Sequence, residues 1–391
     1  MDLREEFLKL YPKEKEIQIA FCPYRVCPIG AHSDHQYGMV SGFAIDKGIE
    51  IAYVPSDNGV VELQSMNFEG KVQFHIHDVP PVKQNDWADY LRGATMFLAK
   101  QFEMKKGIYA LIKGSLPIGG LSSSAAVILA YLSALCKANQ LMLSKSQLIE
   151  FALKAENCYV GVSCGKLDQS CEVYSKKDHL LYLDTKDDSY ELIPRNPNMK
   201  PFEFAIFFSG VERTLAGSAF NMRVDEMKAA SYALKAFAGM EYGKFEDSRL
   251  RDVPREVFEQ YKDKLPGNWK KRATHFYTEF DRVNRGAEAW RKGDIEALGK
   301  LSFESGHSSI YDYETGSPEL KAIYDIMLQT DGIYGGRFSG AGYKGCCMAL
   351  IDPSFEEQIK ETLTKRYLEQ FPQYQGKFSV HFCQSADGCE V

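Results

Sequence analysis

The part of the chain with the clearest chemical potential is the segment 117–126, PIGGLSSSAA, in which a glycine pair leads into three hydroxyl side chains. The residues before it, 107–113, have the composition of a strand, and residues 125–138 have the apolar pattern of a helix. Glycines let the backbone approach an anion closely, and the free amides and dipole of a helix start attract negative charge. The segment therefore predicts a phosphate-binding loop. A capped helix start without a ligand is the alternative, and the absence of a lysine after the second glycine excludes a Walker loop.

Length and composition restrict the classes of protein to which the chain can belong. Its 391 residues suit two or three domains with a sizeable core. With 47 basic and 53 acidic side chains the net charge is −6, and no basic run is long enough to follow a nucleic acid backbone. No apolar stretch approaches the roughly 20 residues that span a bilayer, and the acidic start is unlike a signal peptide. We expect a cytoplasmic enzyme that binds small molecules and neither nucleic acid nor a membrane. The sequence does not predict the oligomeric state, and a monomer is plausible.

The ten cysteines and eight histidines do not form a recognisable metal site. The cysteines contain no C-x-x-C pair, and the histidines form no H-E-x-x-H pattern. Without a secretory signal, reduced and mostly buried thiols are the natural expectation. Any metal is therefore expected to arrive with the substrate.

The periodicity of apolar residues predicts a mixture of strands and helices with mixed or antiparallel sheets. A polar, proline-rich stretch at 194–201 suggests a boundary between domains at 1–198 and 199–391. Helices are expected to dominate 220–329. The other predicted strands are 16–22, 48–54, 60–66, 71–76, 107–113, 179–183, 202–208, 346–351 and 379–383, and the other predicted helices are 86–102, 125–138, 145–159 and 355–368.

Further segments give the phosphate loop a family context. They are 23–35 (PYRVCPIGAHSDH), 161–169 (GVSCGKLDQ), 307–320 (HSSIYDYETGSPEL) and 337–346 (RFSGAGYKGC). In this order they resemble the motifs of the GHMP family of small-molecule kinases, and specifically its galactokinase branch. The resemblance covers nearly the whole chain. It implies an α+β fold of two domains with the active site in the cleft between them, ATP as co-substrate and Mg²⁺ as cofactor.

The resemblance assigns catalytic roles to Asp168 and Arg25. Phosphoryl transfer depends mainly on positioning and charge neutralisation. Asp168 would accept the proton of the sugar C1 hydroxyl or orient that hydroxyl for in-line attack, and Arg25 would neutralise the transferring group. Outside the family context, Asp168 would read as a surface acid and Arg25 as an ordinary ion-pair partner.

The resemblance also predicts the residues that hold ATP and the metal. Ser124 and Glu156 are candidate Mg²⁺ ligands, since this ion prefers a few hard oxygen donors supplemented by phosphates and waters. Trp87 is a candidate neighbour of adenine, with a buried core position as the alternative. The β- and γ-phosphates are expected at Gly119, Gly120, Leu121, Ser122, Ser123, Ser124 and Ala125, with Gly340 and Gly342 on the opposite side.

The candidate sugar-binding residues include one informative departure. Galactokinases carry a glutamate where this chain has Ala31, and that glutamate holds the C6 hydroxyl of the sugar. Without a carboxylate there, like-charge repulsion against a substrate carboxylate at C6 disappears. This departure, with the neighbouring 27–36 and 46–49 segments and the pair Cys346 and Cys347, resembles plant-type galacturonokinases. D-galacturonate is therefore the predicted substrate.

Other residues of the predicted sugar site follow from the same motifs. His32, Asp34 and Gly165 match sugar-binding positions, with Asp34 as acceptor for ring hydroxyls. His35 is a candidate donor to the C6 carboxylate, or else an exposed loop histidine. Phe220 stands where the family usually has a tyrosine, so it would pack against the sugar ring without a hydrogen bond.

Two alternatives to the uronate kinase remain open from the sequence. The first is a kinase for another sugar, mainly a galactokinase that forms α-D-galactose 1-phosphate, with glucuronate, arabinose or another anomeric sugar as lesser candidates. The second is a sensor that binds sugar and ATP without catalysis. The presence of Arg25, Glu156, Asp168 and the three loop serines favours an enzyme.

Overall fold

The framework of the protein, a computed structural model that describes residues 2–211 and 216–390, consists of two β-sheets. Within these residues the strands are β1 (Gln18–Val26), β2 (Met39–Ser56), β3 (Val60–Ser65), β4 (Lys71–His75), β5 (Gly107–Gly114), β6 (His179–Asp184), β7 (Tyr190–Pro194), β8 (Glu203–Phe208), β9 (Ile333–Phe338), β10 (Cys346–Ile351), β11 (Ser379–Cys383) and β12 (Ser385–Ala386).

The larger sheet has eight strands and is organised around β2. Its order is β4-β3-β5-β2-β6-β7, and β1 and β12 also pair with β2. The pairing of β3 with β5 is parallel, whereas the other neighbours are antiparallel. The 18 residues of β2 are mostly buried, as expected for a strand covered on both faces. The smaller sheet is antiparallel, in the order β11-β8-β10-β9.

Helices cover these sheets, and several of them contribute residues to the cavity at the candidate site. The α-helices of the described residues are α1 (Leu3–Leu10), α2 (Asp89–Ala99), α3 (Ser123–Ala138), α4 (Lys145–Lys154), α5 (Leu167–Tyr174), α6 (Ala216–Phe237), α7 (Arg255–Tyr261), α8 (Gly267–Lys292), α9 (Ile295–Tyr311), α10 (Pro318–Met327) and α11 (Glu356–Gln370).

The helix predicted over 145–159 changes its winding partway along. It is α-helical to Lys154 and continues as a π-helix over Ala155–Val160. Such π segments are rare and often mark functional sites. Here the wider turn carries Glu156, one of the candidate metal ligands.

The predicted α+β fold class is confirmed, and one of the strands that sequence periodicity missed, β9, has a local explanation. In β9, two glycines argue against a strand. The structure needs them, because a side chain at Gly335 would collide with the backbone of Gly299 on α9. The short β7 and β12 and the N-terminal α1 were also not predicted.

The core contains residues from both predicted domains. Helix α3 is buried on nearly every face and packs against β1 and β2. The chain returns to the larger sheet through β12, whose Ser385 pairs with Ile45 of β2. The boundary between 1–198 and 199–391 stays a prediction. Eight of the ten cysteines are buried and all are free thiols, and none of the described helices is both long and apolar enough to cross a membrane.

Candidate active site

A cavity of about 710 Å³ lies where the phosphate loop, the start of α5 and the loop between β9 and β10 meet. Most of the predicted site residues line it. They are Arg25, Ala31, His32, Asp34, Trp87, Gly119, Gly120, Ser122, Ser123, Ser124, Glu156, Gly165, Asp168, Phe220 and Gly340.

Arg25 and Asp168 form the central ion pair of the cavity. Arg25, near the end of β1, is 3% exposed, and its Nε and Nη2 each lie 2.8 Å from Oδ1 of Asp168. Its Nη1 donates to the Gly120 carbonyl at 3.0 Å and to the Ser339 hydroxyl at 3.1 Å. Burial lowers the pKa of Arg25, but the adjacent Asp168 carboxylate more than offsets this, so the pKa is raised. The guanidinium therefore stays charged and joins Asp168 to both glycine loops.

The phosphate loop adopts a backbone that requires its glycines. Gly119 and Gly120 have φ angles of 126° and 85°, a region that L side chains rarely enter. A Cβ on Gly345 of the opposite loop would lie 2.5 Å from the Gly119 carbonyl carbon, so the two loops touch backbone to backbone. Ser122, just before α3, has a φ of 63°, does not cap the helix, and its buried hydroxyl lacks a partner among the described residues. The first amides of a helix lack intrahelical partners, and here they belong to residues that line the cavity, next to the unpartnered Ser122 hydroxyl.

Glu156 is a buried carboxyl group surrounded by hydrogen-bond donors. It is 5% exposed, and burial raises its pKa to about 7, although hydrogen bonds from Ser124, Cys164 and Gln169 act in the opposite direction. The Cys164 Sγ lies 3.6 Å from its Oε2. One carboxylate beside one hydroxyl is a donor set that suits Mg²⁺ with further phosphate and water ligands. Ser124 and Glu156 therefore fit the metal predicted for this family.

His32 is a buried histidine on the cavity wall. It is 6% exposed, and its ring stacks on Tyr313 with centroids 4.3 Å apart. Burial lowers its pKa well below the usual value, and the charge of Arg337 adds to this. Its Nε2 lacks a hydrogen-bond partner within the described residues. The ring thus offers the cavity one neutral hydrogen-bonding group.

Asp34 and Ala31 form the neighbouring part of the wall. Asp34 accepts a hydrogen bond from the Leu167 amide at 3.2 Å, and burial together with the Asp168 charge raises its pKa to about 6. A side chain at Gly165 would collide with the Asp34 carboxylate, which explains the glycine there. Ala31 is 8% exposed. Ala31 therefore contributes a methyl group to the cavity lining beside the Asp34 carboxyl group.

Four predicted site residues do not line the cavity. Leu121 and Ala125 are buried behind the phosphate loop, and the Gly342 carbonyl accepts a hydrogen bond from the Ser317 amide at 2.8 Å. His35 is 7% exposed and lies 3.4 Å from the Tyr313 hydroxyl. Burial, with a smaller effect of nearby cations, lowers its pKa to about 3.

His35 is therefore not an exposed loop histidine. Its ring meets that of Phe220 edge to face at 6.0 Å between centroids, and Phe220 does line the cavity. A direct contact between His35 and a sugar stays a prediction.

Trp87 lines the cavity together with Phe68, a residue that the sequence did not indicate. Its ring is half-buried and parallel to that of Phe68, with 6.1 Å between centroids. A contact between Trp87 and adenine stays a prediction. Nothing in the sequence indicated Phe68 as a site residue. Ser339, which accepts a hydrogen bond from Arg25, lies within the 337–346 motif but was not predicted as a site residue.

Comparisons with known proteins identify relatives of this chain. The family model described as GHMP kinases N terminal domain matches residues 89–176, and the GHMP kinases C terminal model matches 287–369. A galacturonokinase from Arabidopsis thaliana is 36% identical, with 100% of this chain and 97% of the relative covered. A galactokinase from Roseiflexus sp. is 31% identical, with 99% and 96% covered.

Solved structures give the same result. The crystal structure of Lactococcus lactis galactokinase complexed with galactose superposes with a TM-score of 0.89 at 26% identity, covering 99% of this chain and 98% of that one. The motifs, the fold and these full-length similarities converge, and the chain belongs to the GHMP kinase family.

Proposed function

We propose that this protein is an ATP-dependent sugar kinase that converts D-galacturonate to α-D-galacturonate 1-phosphate. The full-length similarity to a galacturonokinase supports the reaction class. The observation that carries the choice of substrate is Ala31, a methyl side chain on the cavity wall beside His32 and Asp34.

Asp168 is the residue proposed to handle the proton. As the C1 oxygen bonds to the γ-phosphorus, its O–H bond breaks and the proton passes to the Asp168 carboxylate. The bond between the γ-phosphorus and the bridging oxygen breaks, and ADP leaves with that electron pair. The paired Arg25 orients the carboxylate through its 2.8 Å contacts and places positive charge beside the transferring group.

The phosphate loop and Glu156 are proposed to hold the nucleotide and its metal. The free amides at the start of α3 and the unpartnered Ser122 hydroxyl would bind phosphoryl oxygens. Ser124 and Glu156 would hold Mg²⁺, which when bound neutralises phosphate charge. Because the metal favours the charged form of its ligand, it would also lower the raised pKa of Glu156.

The sugar is proposed to lie against Ala31, Asp34 and Phe220. Asp34 would accept hydrogen bonds from ring hydroxyls, and the methyl group of Ala31 leaves room for the C6 carboxylate without a like charge. The unpaired Nε2 of His32 offers a donor on the same wall, since its N–H can bind an oxygen of either a carboxylate or a hydroxyl.

Galactose is the competing substrate, and a specific observation favours it. The solved structure that superposes over 99% of this chain is a galactokinase complexed with galactose. For either sugar we propose a cytoplasmic location, which the ten free thiols support.

The test is a coupled ADP-release assay with MgATP and four sugars in parallel: D-galacturonate, D-glucuronate, D-galactose and L-arabinose. The highest kcat/KM is expected for galacturonate. A preference for galactose would keep the kinase and overturn the substrate choice. If none of the four sugars were phosphorylated, the enzyme proposal itself would fall.

A further inference from the structure

Lys344 is a cavity residue that the proposed reaction leaves without a role. It lies in the loop between β9 and β10, lines the cavity and is half-buried. Across residues 2–211 and 216–390, its ammonium has neither a hydrogen bond nor an ion pair. A lysine whose charge is partly shielded from water and unpaired suits an anionic ligand.

The backbone around Lys344 is held in a defined position. The Ser209 amide and hydroxyl both donate to the Gly345 carbonyl, at 2.9 Å and 2.8 Å. The Thr315 hydroxyl donates to the Ala341 carbonyl at 2.7 Å. Gly345 also touches the backbone of Gly119 in the phosphate loop. Lys344 therefore extends from a fixed point next to the proposed phosphate site.

The other cavity cations are already engaged. Arg25 is paired with Asp168, and Arg337 lies 3.7 Å from Glu279 while donating to two serines. The acidic side chains that line the cavity are Asp34, Glu69, Asp86, Glu156 and Asp168.

This lining is unfavourable for a polyphosphate by itself. A nucleotide brings several negative charges into a site where carboxylates outnumber cations, and repulsion is strong in a partly buried cavity. Three described lysine and arginine residues line the cavity: Arg25, Arg337 and Lys344. Both arginines have an acidic partner, whereas Lys344 has none among the described residues.

We propose that the Lys344 ammonium binds a β-phosphoryl oxygen of the nucleotide, an inference that rests on the proposed kinase function. A lysine suits this position because its compact charge sits on a flexible stem that can follow the phosphate. The same ammonium stabilises the negative charge that moves to the β-phosphate when the γ-phosphoryl group departs. Lys344 is thus a phosphate-binding residue on the loop opposite the helix start.

The test compares ADP and adenosine binding by isothermal titration calorimetry in three variants. Lys344→Met removes the charge while keeping the stem, and Lys344→Arg keeps the charge. Lys360→Met removes a lysine charge from the exposed face of α11, outside the cavity lining. Lys344→Met is expected to weaken ADP about tenfold or more, as for loss of a hydrogen bond to a charged group, without changing adenosine affinity. Lys344→Arg is expected to retain most of the affinity, and Lys360→Met all of it.

Ionic strength and sugar kinetics complete the test. The ADP affinity of the original protein is expected to fall more steeply with salt than that of Lys344→Met. Equal ADP affinity in the two proteins would overturn the inference. So would a higher KM for galacturonate with unchanged ADP binding, which would place the charge at the sugar. Failure of the unsubstituted protein to bind ADP would instead refute the kinase proposal. If Lys344→Met did not fold, loss of ADP affinity in a folded Lys344→Gln variant would support the inference and retained affinity would refute it.

Discussion

Replacing Ala31 with glutamate is expected to reverse the preference between galacturonate and galactose. Ala31 is 8% exposed and lines the cavity next to His32 and Asp34. A glutamate would project a carboxylate toward the proposed position of the sugar C6 group. That carboxylate would repel a uronate and accept a hydrogen bond from the C6 hydroxyl of galactose.

The magnitude follows from the separation and the surroundings of the two charges. At about 4 Å and an effective dielectric constant of about 20, repulsion costs about 4 kcal/mol, which is about a thousandfold in kcat/KM. A hydrogen bond from galactose to a charged group contributes about 1.5–3 kcal/mol. Together they predict a change in the ratio of the two specificity constants of at least a thousandfold. The new carboxyl group must be ionised in this assay, and the pKa of the neighbouring Asp34 carboxyl group is raised to about 6. The assay is therefore run at pH 8.

Ala31→Gln is the matched control, since glutamine has the size of glutamate without its charge. The glutamine variant is expected to reduce galacturonate turnover much less than the glutamate variant. Equal losses in both variants would show that bulk, not charge, closes the site. An unchanged ratio for Ala31→Glu would refute the assignment of residue 31 to the C6 group and remove the reason for choosing the uronate.

Three other perturbations test the catalytic residue, the loop contact and the buried carboxyl group. Asp168→Asn is expected to lower kcat about 10²- to 10⁴-fold with little change in ADP affinity, because the asparagine oxygen can still accept from Arg25; steady-state kinetics and calorimetry check this. Gly345→Ala is expected to destabilise the fold by more than the cost of a positive φ alone, about 1–2 kcal/mol, because its Cβ would lie 2.5 Å from the Gly119 backbone. Urea unfolding measures this loss. The control is Gly376→Ala, because Gly376 has a φ of 78° and a Cβ there would have nothing within 4 Å. Glu156 has a folded-state pKa of about 7, above its usual 4.5, so the unfolded chain loses this proton first and stability falls as pH rises from about 4.5 through 7. Glu156→Gln is expected to remove a fall on the order of 3 kcal/mol, measured by urea unfolding in metal-free buffer at pH 5 and 8.

A specific result would contradict each of these three predictions. Turnover of Asp168→Asn at the original rate would exclude Asp168 as the proton acceptor. Equal stability of the two alanine variants would mean that the loops do not press together as described. An identical pH dependence in Glu156→Gln would show that this carboxyl group ionises normally in the folded protein.

The sequence predicted the chemistry best where function depends on neighbouring residues. The segment 117–126 was recognisable because strand, glycine turn and helix start are local features, and in the structure its glycines and serines line the cavity. The family and the α+β fold class were also recognisable, since several motifs occur in the family's order. The resemblance to that family suggested roles for Arg25, Glu156 and Asp168.

Spacing along the chain could not place residues that meet only through packing. Arg25 and Asp168 are 143 positions apart, and their contact depends on how α5 lies against β1. His35 and Lys344 are two residues whose positions the sequence did not predict. One is a motif residue that packing buries behind the wall, and the other was passed over as part of a glycine-rich loop although it faces the cavity.

The sequence by itself determined the local conformations and the set of groups available for chemistry, because glycines, helix starts and apolar periodicity act over a few residues. Only the tertiary structure decided which of those groups face one cavity, which lie behind it, and which charges remain unpaired. Burial and electrostatic pairing depend on contacts between distant segments, and those contacts arise when the two sheets and their helices pack together.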